Sequence, residues 1–315
     1  MPQEVHNVHD KFFKALLSDR QIAIDWLRTF LPVEVATHLD LNTLTSASTS
    51  FVSQELQETF ADAVFKCRLS ETSKETYVSV LLEHKSYPDK FTAIQLLLYL
   101  AQAYAEQWKS RQHLEPVIPI LFYQGKQKWE YLPLSALFSD FPEAFLVFLP
   151  DFSPLFIDLL RLDDDLLKSI RNSLLSSALL LQKYVRTPKV LLQKIHDIFS
   201  TLDPAGDRNL LPVFFVYFVE VSQIPPEKIE QLLAQLPTTI KSDFMNTYQL
   251  IIEKGIEKGI EKGIEEGIEK GEVNFVLKGY KNGLTLEQLV QITGWPEEKV
   301  ADIIRKFQEN ARKES

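Results

Sequence analysis

Apolar residues recur near helical spacing from residue 8 to residue 31: Phe12, Phe13, Leu16, Leu17, Ile22, Ile24, Leu27, Phe30 and Leu31. The pattern predicts helices, and Pro32 ends the run because proline has no N–H to carry the helical ladder onward. The period then shortens. Residues 50–56 and 60–69 read as short strands and 76–84 as a strongly apolar one, with the polar run Glu71 to Glu75 between them. A helix is expected over 90–110 and a buried strand over Val117–Tyr123 after Pro116. Continuous Val, Ile and Leu runs in the last two strands suit a central position covered on both faces. The order helix, meander, helix, strand predicts an α/β fold with a mixed central sheet flanked by helices.

Past residue 130 the signals change. Pro133, Pro142, Pro150 and Pro154 mark an irregular connection, and helical spacing returns over 163–185, 188–202, 208–222 and 226–236. Asp163-Asp164-Asp165 opens the first of these stretches and is read as a cap favoured by the helix dipole rather than as a metal cluster. His196, within an apolar helix, is read as structural. Next comes a tetrapeptide repeat, Ile-Glu-Lys-Gly, from Ile252 to Gly271, with Glu266 in place of one Lys. A four-residue period on a 3.6-residue helix sets Ile on a stripe that winds slowly around the cylinder, with Gly on the stripe beside it. Each interior Gly costs about 1 kcal/mol relative to Ala. The segment is therefore read as a helical linker that helps two copies associate, with a passive tether as the alternative.

Asn274 to Tyr280, the capping pair Thr285 and Gln288, the turn at Gly294 and the apolar Val300, Ile303, Ile304 and Phe307 predict a small module resembling a helix-turn-helix. Its last helix mixes Glu297, Glu298 and Asp302 with Lys299, Arg305 and Lys306, which suits a protein contact better than a DNA groove. The expected organisation is a core over 1–150, a helical region over 151–249, the repeat linker over 250–272 and the module over 273–315.

Composition limits the function classes. The chain has 315 residues, 45% apolar and 24% charged, as ordinary globular proteins do. A single cysteine, Cys67, rules out an internal disulfide framework and fits a reducing cytoplasm, with a small buried side chain as its default role. No apolar run is long enough to span a bilayer and the N-terminus lacks a signal-peptide pattern, so no membrane association is expected. A net charge of −9 and a pI near 5.3 argue against a protein that coats nucleic acid nonspecifically. Any nucleic-acid contact must be local, through residues such as Lys85, Lys90, Lys109, Arg111, Lys126 and Lys128.

The candidate chemistry lies between Asp62 and Tyr99. Asp62 adjoins the strand residues Ala63, Val64 and Phe65, the apolar run Val78 to Leu82 ends in Glu83-His84-Lys85, and Gln95 and Tyr99 follow on the next helix. Phosphodiester hydrolysis gathers a hard cation, a water and an anionic phosphate, and Mg2+ prefers carboxylate oxygens while keeping several waters. Asp62 and Glu83 are such donors. Alternation along a strand sets Glu83 and Lys85 on one face, where an ammonium can orient the water and offset charge growing on the phosphate. Gln95 and Tyr99, four apart on a helix, can reach the same place. Each element also has an ordinary reading: a solvated strand exit, a turn aspartate, a buried amide, a core aromatic.

Taken with His9-Asp10-Lys11-Phe12-Phe13-Lys14, Leu31-Pro32, Leu82-Glu83-His84-Lys85-Ser86, Pro88-Asp89-Lys90 and Ile118 to Gly125, the pattern resembles the PD-(D/E)XK nuclease superfamily. Within it, the chain is similar to the Rpn/YhgA-like family of recombination-promoting nucleases and transposase-like proteins over roughly residues 6–150. The resemblance implies a restriction-endonuclease-like core and a Mg2+-dependent DNA endonuclease, with Mn2+ as a possible substitute. Asp62 and Glu83 carry over as metal ligands and Lys85 as the catalytic lysine, where family members often have Gln. Asp10 is the match to an acidic residue on the preceding helix, with an N-cap as its competing role. The implied partner is double-stranded DNA, and a homodimer through the repeat helix or the small module is expected. The alternative is a non-catalytic DNA-binding or assembly protein that keeps the fold.

Overall fold

A computed structural model describes residues 2–46, 63–70, 77–85, 87–110, 113–203, 209–222, 224–236 and 238–313. The strand expected over 50–56, the polar link 71–75, Arg111 and Asp62 lie outside the described residues.

The first helical run is two helices. Helix α1 (Pro2–Ser18) is separated from α2 (Arg20–Phe30) by Asp19, whose carboxylate accepts from the backbone N–H groups of Gln21 at 2.9 Å and Ile22 at 3.0 Å. A short α3 (Val33–Ala36) starts after Pro32. Strand β1 (Leu39–Ser46) has no counterpart in the sequence reading. Asp and Asn are poor strand residues, and a register shift between Asp40 and Thr45 breaks the alternation, so Leu39, Leu41 and Leu44 are the buried residues. At that irregularity the Thr43 hydroxyl accepts from the Arg68 N–H at 2.9 Å and donates to the Asp40 carbonyl at 2.7 Å.

Strands β2 (Ala63–Leu69), β3 (Tyr77–Lys85) and β4 (Val117–Tyr123) lie close to their expected places. So does helix α4 (Thr92–Lys109). A fifth strand, β5 (Leu155–Asp158), sits inside the proline-marked connection, so the sheet extends past residue 150. Four residues directly after Pro154 are too few to show a period. The sheet runs in the order β1-β2-β3-β4-β5, antiparallel through β3 and parallel from β3 to β5.

Register decides which helix covers which face. His84 pairs with Phe122 and Lys85 with Tyr123. Phe122 stacks on Phe13 of α1 at 5.0 Å and meets Trp26 of α2 edge-on at 5.8 Å. The other face belongs to α4, where Leu96, Tyr99, Leu100 and Ala103 pack with Val117.

The expected helix over 163–185 is two, α6 (Asp164–Lys168) and α7 (Ser173–Tyr184), following a short α5 (Glu143–Leu146) in the connection. Asn172 caps α7 by accepting from Leu175 N–H at 2.8 Å, and Asp163 caps α6, as the sequence predicted, by accepting from Asp165 N–H at 3.2 Å. Helices α8 (Pro188–Ser200), α9 (Leu211–Ser222) and α10 (Pro226–Gln235) follow, with His196 exposed on α8. Phe199, Phe214 and Phe215 pack around Phe244, with Phe218 against Phe199 and Phe215, and the Phe215–Phe244 pair is stacked at 4.7 Å. Phe244 belongs to α11, one helix of 44 residues from Thr238 to Lys281 that runs through the whole repeat.

The chain forms two compact units, Met1–Thr247 and Tyr248–Ser315, and the division falls within α11. In the second unit Val276 of α11, Leu289 of α12 (Leu286–Thr293), and Val300 and Ile304 of α13 (Glu297–Lys313) make a small core. Thr285 and Gln288 form the expected capping box, and Gly294 closes α12 at a φ of 67°. Gly279 permits close packing, since a Cβ there would lie 2.7 Å from Leu289 Cδ2.

Candidate active site

Lys85 is the last residue of β3 and is 8% exposed. Its Nζ donates to Gln95 Oε1 at 2.7 Å, and Gln95 Nε2 donates to the Tyr99 hydroxyl oxygen at 2.7 Å. Gln95 and Tyr99 stand one turn apart on α4 and join Lys85 in one hydrogen-bonded chain. The amide can serve both neighbours only with its oxygen toward the ammonium and its nitrogen toward the phenol. A long, flexible lysine is thereby held in one place.

Two further groups frame Lys85. Asp89 Oδ2 lies 3.7 Å from Nζ, and the Tyr87 ring centroid 5.9 Å away. Glu83 precedes Lys85 by two residues in β3, in register with Leu121. The antiparallel pairs Val64↔Leu81 and Ala63↔Leu82 run toward Glu83, and Ala63 is the described residue next to Asp62 in the chain.

Asp10 lies well inside α1, so the capping role weighed for it is corrected: a cap requires a helix start, and this helix starts at Pro2. Its helix covers the sheet face opposite α4. Next to it, His9 Nδ1 and the Tyr217 hydroxyl are 2.6 Å apart, and Phe12 stacks on Tyr217 at 3.8 Å. Burial pushes the Tyr217 phenol far above its ordinary range, against the opposing pull of Arg186.

The sequence reading missed Gln124. It follows β4 directly, its N–H donates to the Lys85 carbonyl at 2.9 Å, and its side chain is 1% exposed with neither amide atom hydrogen-bonded among the described residues. Its only sequence signal is its place in Tyr123-Gln124-Gly125. A Cβ at Gly125 would lie 2.1 Å from the Tyr123 hydroxyl, which itself donates to the Gln127 carbonyl at 2.7 Å, so this turn requires glycine. Asp89 was also missed as a neighbour of Lys85. Of the expected basic surface, Lys109 is paired with Glu106 at 2.9 Å and Lys128 with Glu130 at 3.1 Å.

Burial raises the Cys67 thiol to about 11, with Asp40 adding to the effect, which fits an inert core residue. Among the described residues no helix is long and apolar enough to cross a membrane.

A family model described as "Putative transposase, YhgA-like" matches residues 7–209. The chain belongs to the YhgA-like family. It is 33% identical over 189 residues to the recombination-promoting nuclease RpnC of Escherichia coli (strain K12), covering 58% of this chain and 60% of RpnC. It is 28% identical over 211 residues to the recombination-promoting nuclease RpnA of the same organism, covering 65% and 70%. A third relative from that strain, the inactive recombination-promoting nuclease-like protein RpnE, is 25% identical over 254 residues, covering 72% and 81%. This YhgA-like protein thus spans less than two thirds of RpnC. No solved structure matches it significantly.

Proposed function

We propose that this YhgA-like protein is a Mg2+-dependent endonuclease that hydrolyses phosphodiester bonds of double-stranded DNA, in a role that promotes recombination or transposition. The observation that carries the reading is the ammonium of Lys85, buried at the end of β3, oriented by Gln95 and Tyr99, two residues after a glutamate. Relatives named recombination-promoting nucleases support it. The mixed sheet with helices on both faces is read as a restriction-endonuclease-like core that continues past the expected boundary at 150 to include β5, with the helices that follow up to 249 as its support, 250–272 as linker and 273–315 as an assembly module. A DNA enzyme with one reduced thiol belongs in the cytoplasm.

The donor set fits the metal, because Asp62 and Glu83 are hard oxygen donors, and the buried Gln124 side chain, whose backbone N–H bonds the Lys85 carbonyl, has polar capacity left for a water. Asp62 and Glu83 would hold the ion, with Mn2+ as a substitute, and bound there it would act as Lewis acid and template. Lys85 orients the attacking water and offsets negative charge growing on the phosphate, with no reorganisation because Gln95 already fixes it. Asp10 is kept in this reading as an acidic residue on the preceding helix. A homodimer, through the repeat helix with its exposed isoleucines or through the C-terminal module, would present two sites to a duplex.

The test is supercoiled plasmid incubated with the protein and Mg2+ or Mn2+, beside Glu83→Ala and Lys85→Ala. Nicking by the wild type that both substitutions abolish is the expected result. Nicking that survives both, or none with either ion, would favour the second reading, a non-catalytic DNA-binding or assembly protein. One relative named inactive gives that reading its support.

A further inference from the structure

Helix α4 presents a second apolar face. Leu96, Tyr99, Leu100 and Ala103 pack inward. On the far side Phe91, just before the helix, and Ile94, Leu98 and Trp108 are 52, 38, 58 and 76% exposed. Ala101 is exposed among them and Ala105 half-buried. At 3.6 residues per turn these positions fall in one sector about 100° wide along roughly 25 Å of helix. No charged residue interrupts the sector, and Lys90 and Lys109 stand only at its ends.

We propose that this stripe is where two copies of the chain meet, α4 against α4, antiparallel about a two-fold axis. Three arguments select a second copy as the occupant. The stripe exposes roughly 500 Å2 of apolar side chain, over half of the about 800 Å2 each partner contributes to a stable interface. It is self-complementary: antiparallel pairing sets Trp108 of one copy against Phe91 of the other and brings Leu98 over the small Ala101, the reciprocity a two-fold contact demands. Finally, the stripe carries no cation along its length to meet a phosphate, which does not suit DNA; the Lys90 ammonium touches it only at its end, 4.8 Å from the Phe91 ring centroid.

The contact stands without the nuclease reading; its consequence rests on it. Gln95 and Tyr99 lie on the same helix as the stripe, so pairing α4 sets two Lys85–Gln95–Tyr99 chains on either side of one axis. Two such sites suit attack on both strands of a duplex.

The test uses the full chain without DNA or metal, so an inactive nuclease cannot disturb it. Ala101→Cys is treated with a short bis-maleimide in dilute solution, beside exposed Lys126→Cys as control; the native Cys67 is fully buried. Ala101→Cys should cross-link to dimer at least about tenfold faster than the control, from the higher effective concentration at a true contact. Adding Leu98→Glu and Trp108→Glu should return it to the control rate, with an unchanged circular dichroism spectrum showing that the fold is intact. Equal rates for the two cysteines, or a fast rate that ignores both glutamates, would overturn the proposal. So would a dimeric mass by light scattering with no excess cross-linking at Ala101, which would assign self-association elsewhere.

Discussion

The end of β3 and the repeat within α11 are the two segments whose sequence patterns stand out, and the fold treats them in opposite ways. At the strand end a buried cation, a half-buried amide and a buried phenol form a hydrogen-bonded chain, each group oriented by the next. Along the repeat Ile256, Ile260, Ile264 and Ile268 are 57 to 58% exposed, and a Cβ added at Gly255, Gly259, Gly263, Gly267 or Gly271 would meet nothing within 4 Å. A regular motif is therefore weak evidence of a packed role, whereas an irregular set of polar residues becomes strong evidence once burial and partners agree.

Replacing the five repeat glycines with alanine sharpens that contrast most. With open space at each position, every change should stabilise the helix by about 1 kcal/mol, up to roughly 5 kcal/mol for the set. Hydrogen exchange across residues 252–271 would report it as slower opening. Faster exchange, or loss of a dimer, would mean the glycine stripe receives another backbone and the two regions are more alike than they look.

At the strand end the expected effect is on rate. Lys85→Ala should lower plasmid cleavage by roughly 100-fold or more, and Gln95→Leu, which keeps the ammonium but frees it, by about tenfold. Single-turnover cleavage separates the two, and a Gln95→Leu enzyme at full rate would deny the amide its orienting role.

A third case is a packed charged group with no proposed chemistry. Asp164 receives Lys183 Nζ at 2.7 Å, Lys194 Nζ at 2.5 Å and the Tyr184 hydroxyl at 2.6 Å. Burial alone would raise its carboxyl, but these donors outweigh it and hold it well below the usual carboxylate range. A carboxyl depressed on folding contributes stability that is fully present above its unfolded value near pH 4 and is lost as pH falls through the folded value. Asp164→Asn should cost about 1–3 kcal/mol at neutral pH and flatten the acid limb of the stability profile. Urea midpoints measured from pH 7 down to about pH 2 would check it.

The smallest effect is expected at the junction of α1 and α9. Tyr217→Phe keeps the stacking on Phe12 but removes the hydroxyl that meets His9 Nδ1, and should cost about 1 kcal/mol by thermal unfolding. No change would mean that the histidine finds another partner.

What the residues alone determined is local. Period and capping chemistry specify α2, α4, β3, β4, the Thr285 capping box and the helicity of the repeat, because each depends on neighbours within about one turn or one strand. They also specify which groups could serve chemistry around Glu83 and Lys85. The tertiary structure decided the rest. It bent β1 around Thr43, recruited β5 from a proline-marked connection, buried the Gln124 amide beside the Lys85 backbone, carried Asp10 on the face away from α4, and joined His9 to Tyr217 across 208 residues. Such pairings carry no periodic signature, since they arise when collapse buries apolar faces together and every polar group drawn in must find whichever partner the packing supplies.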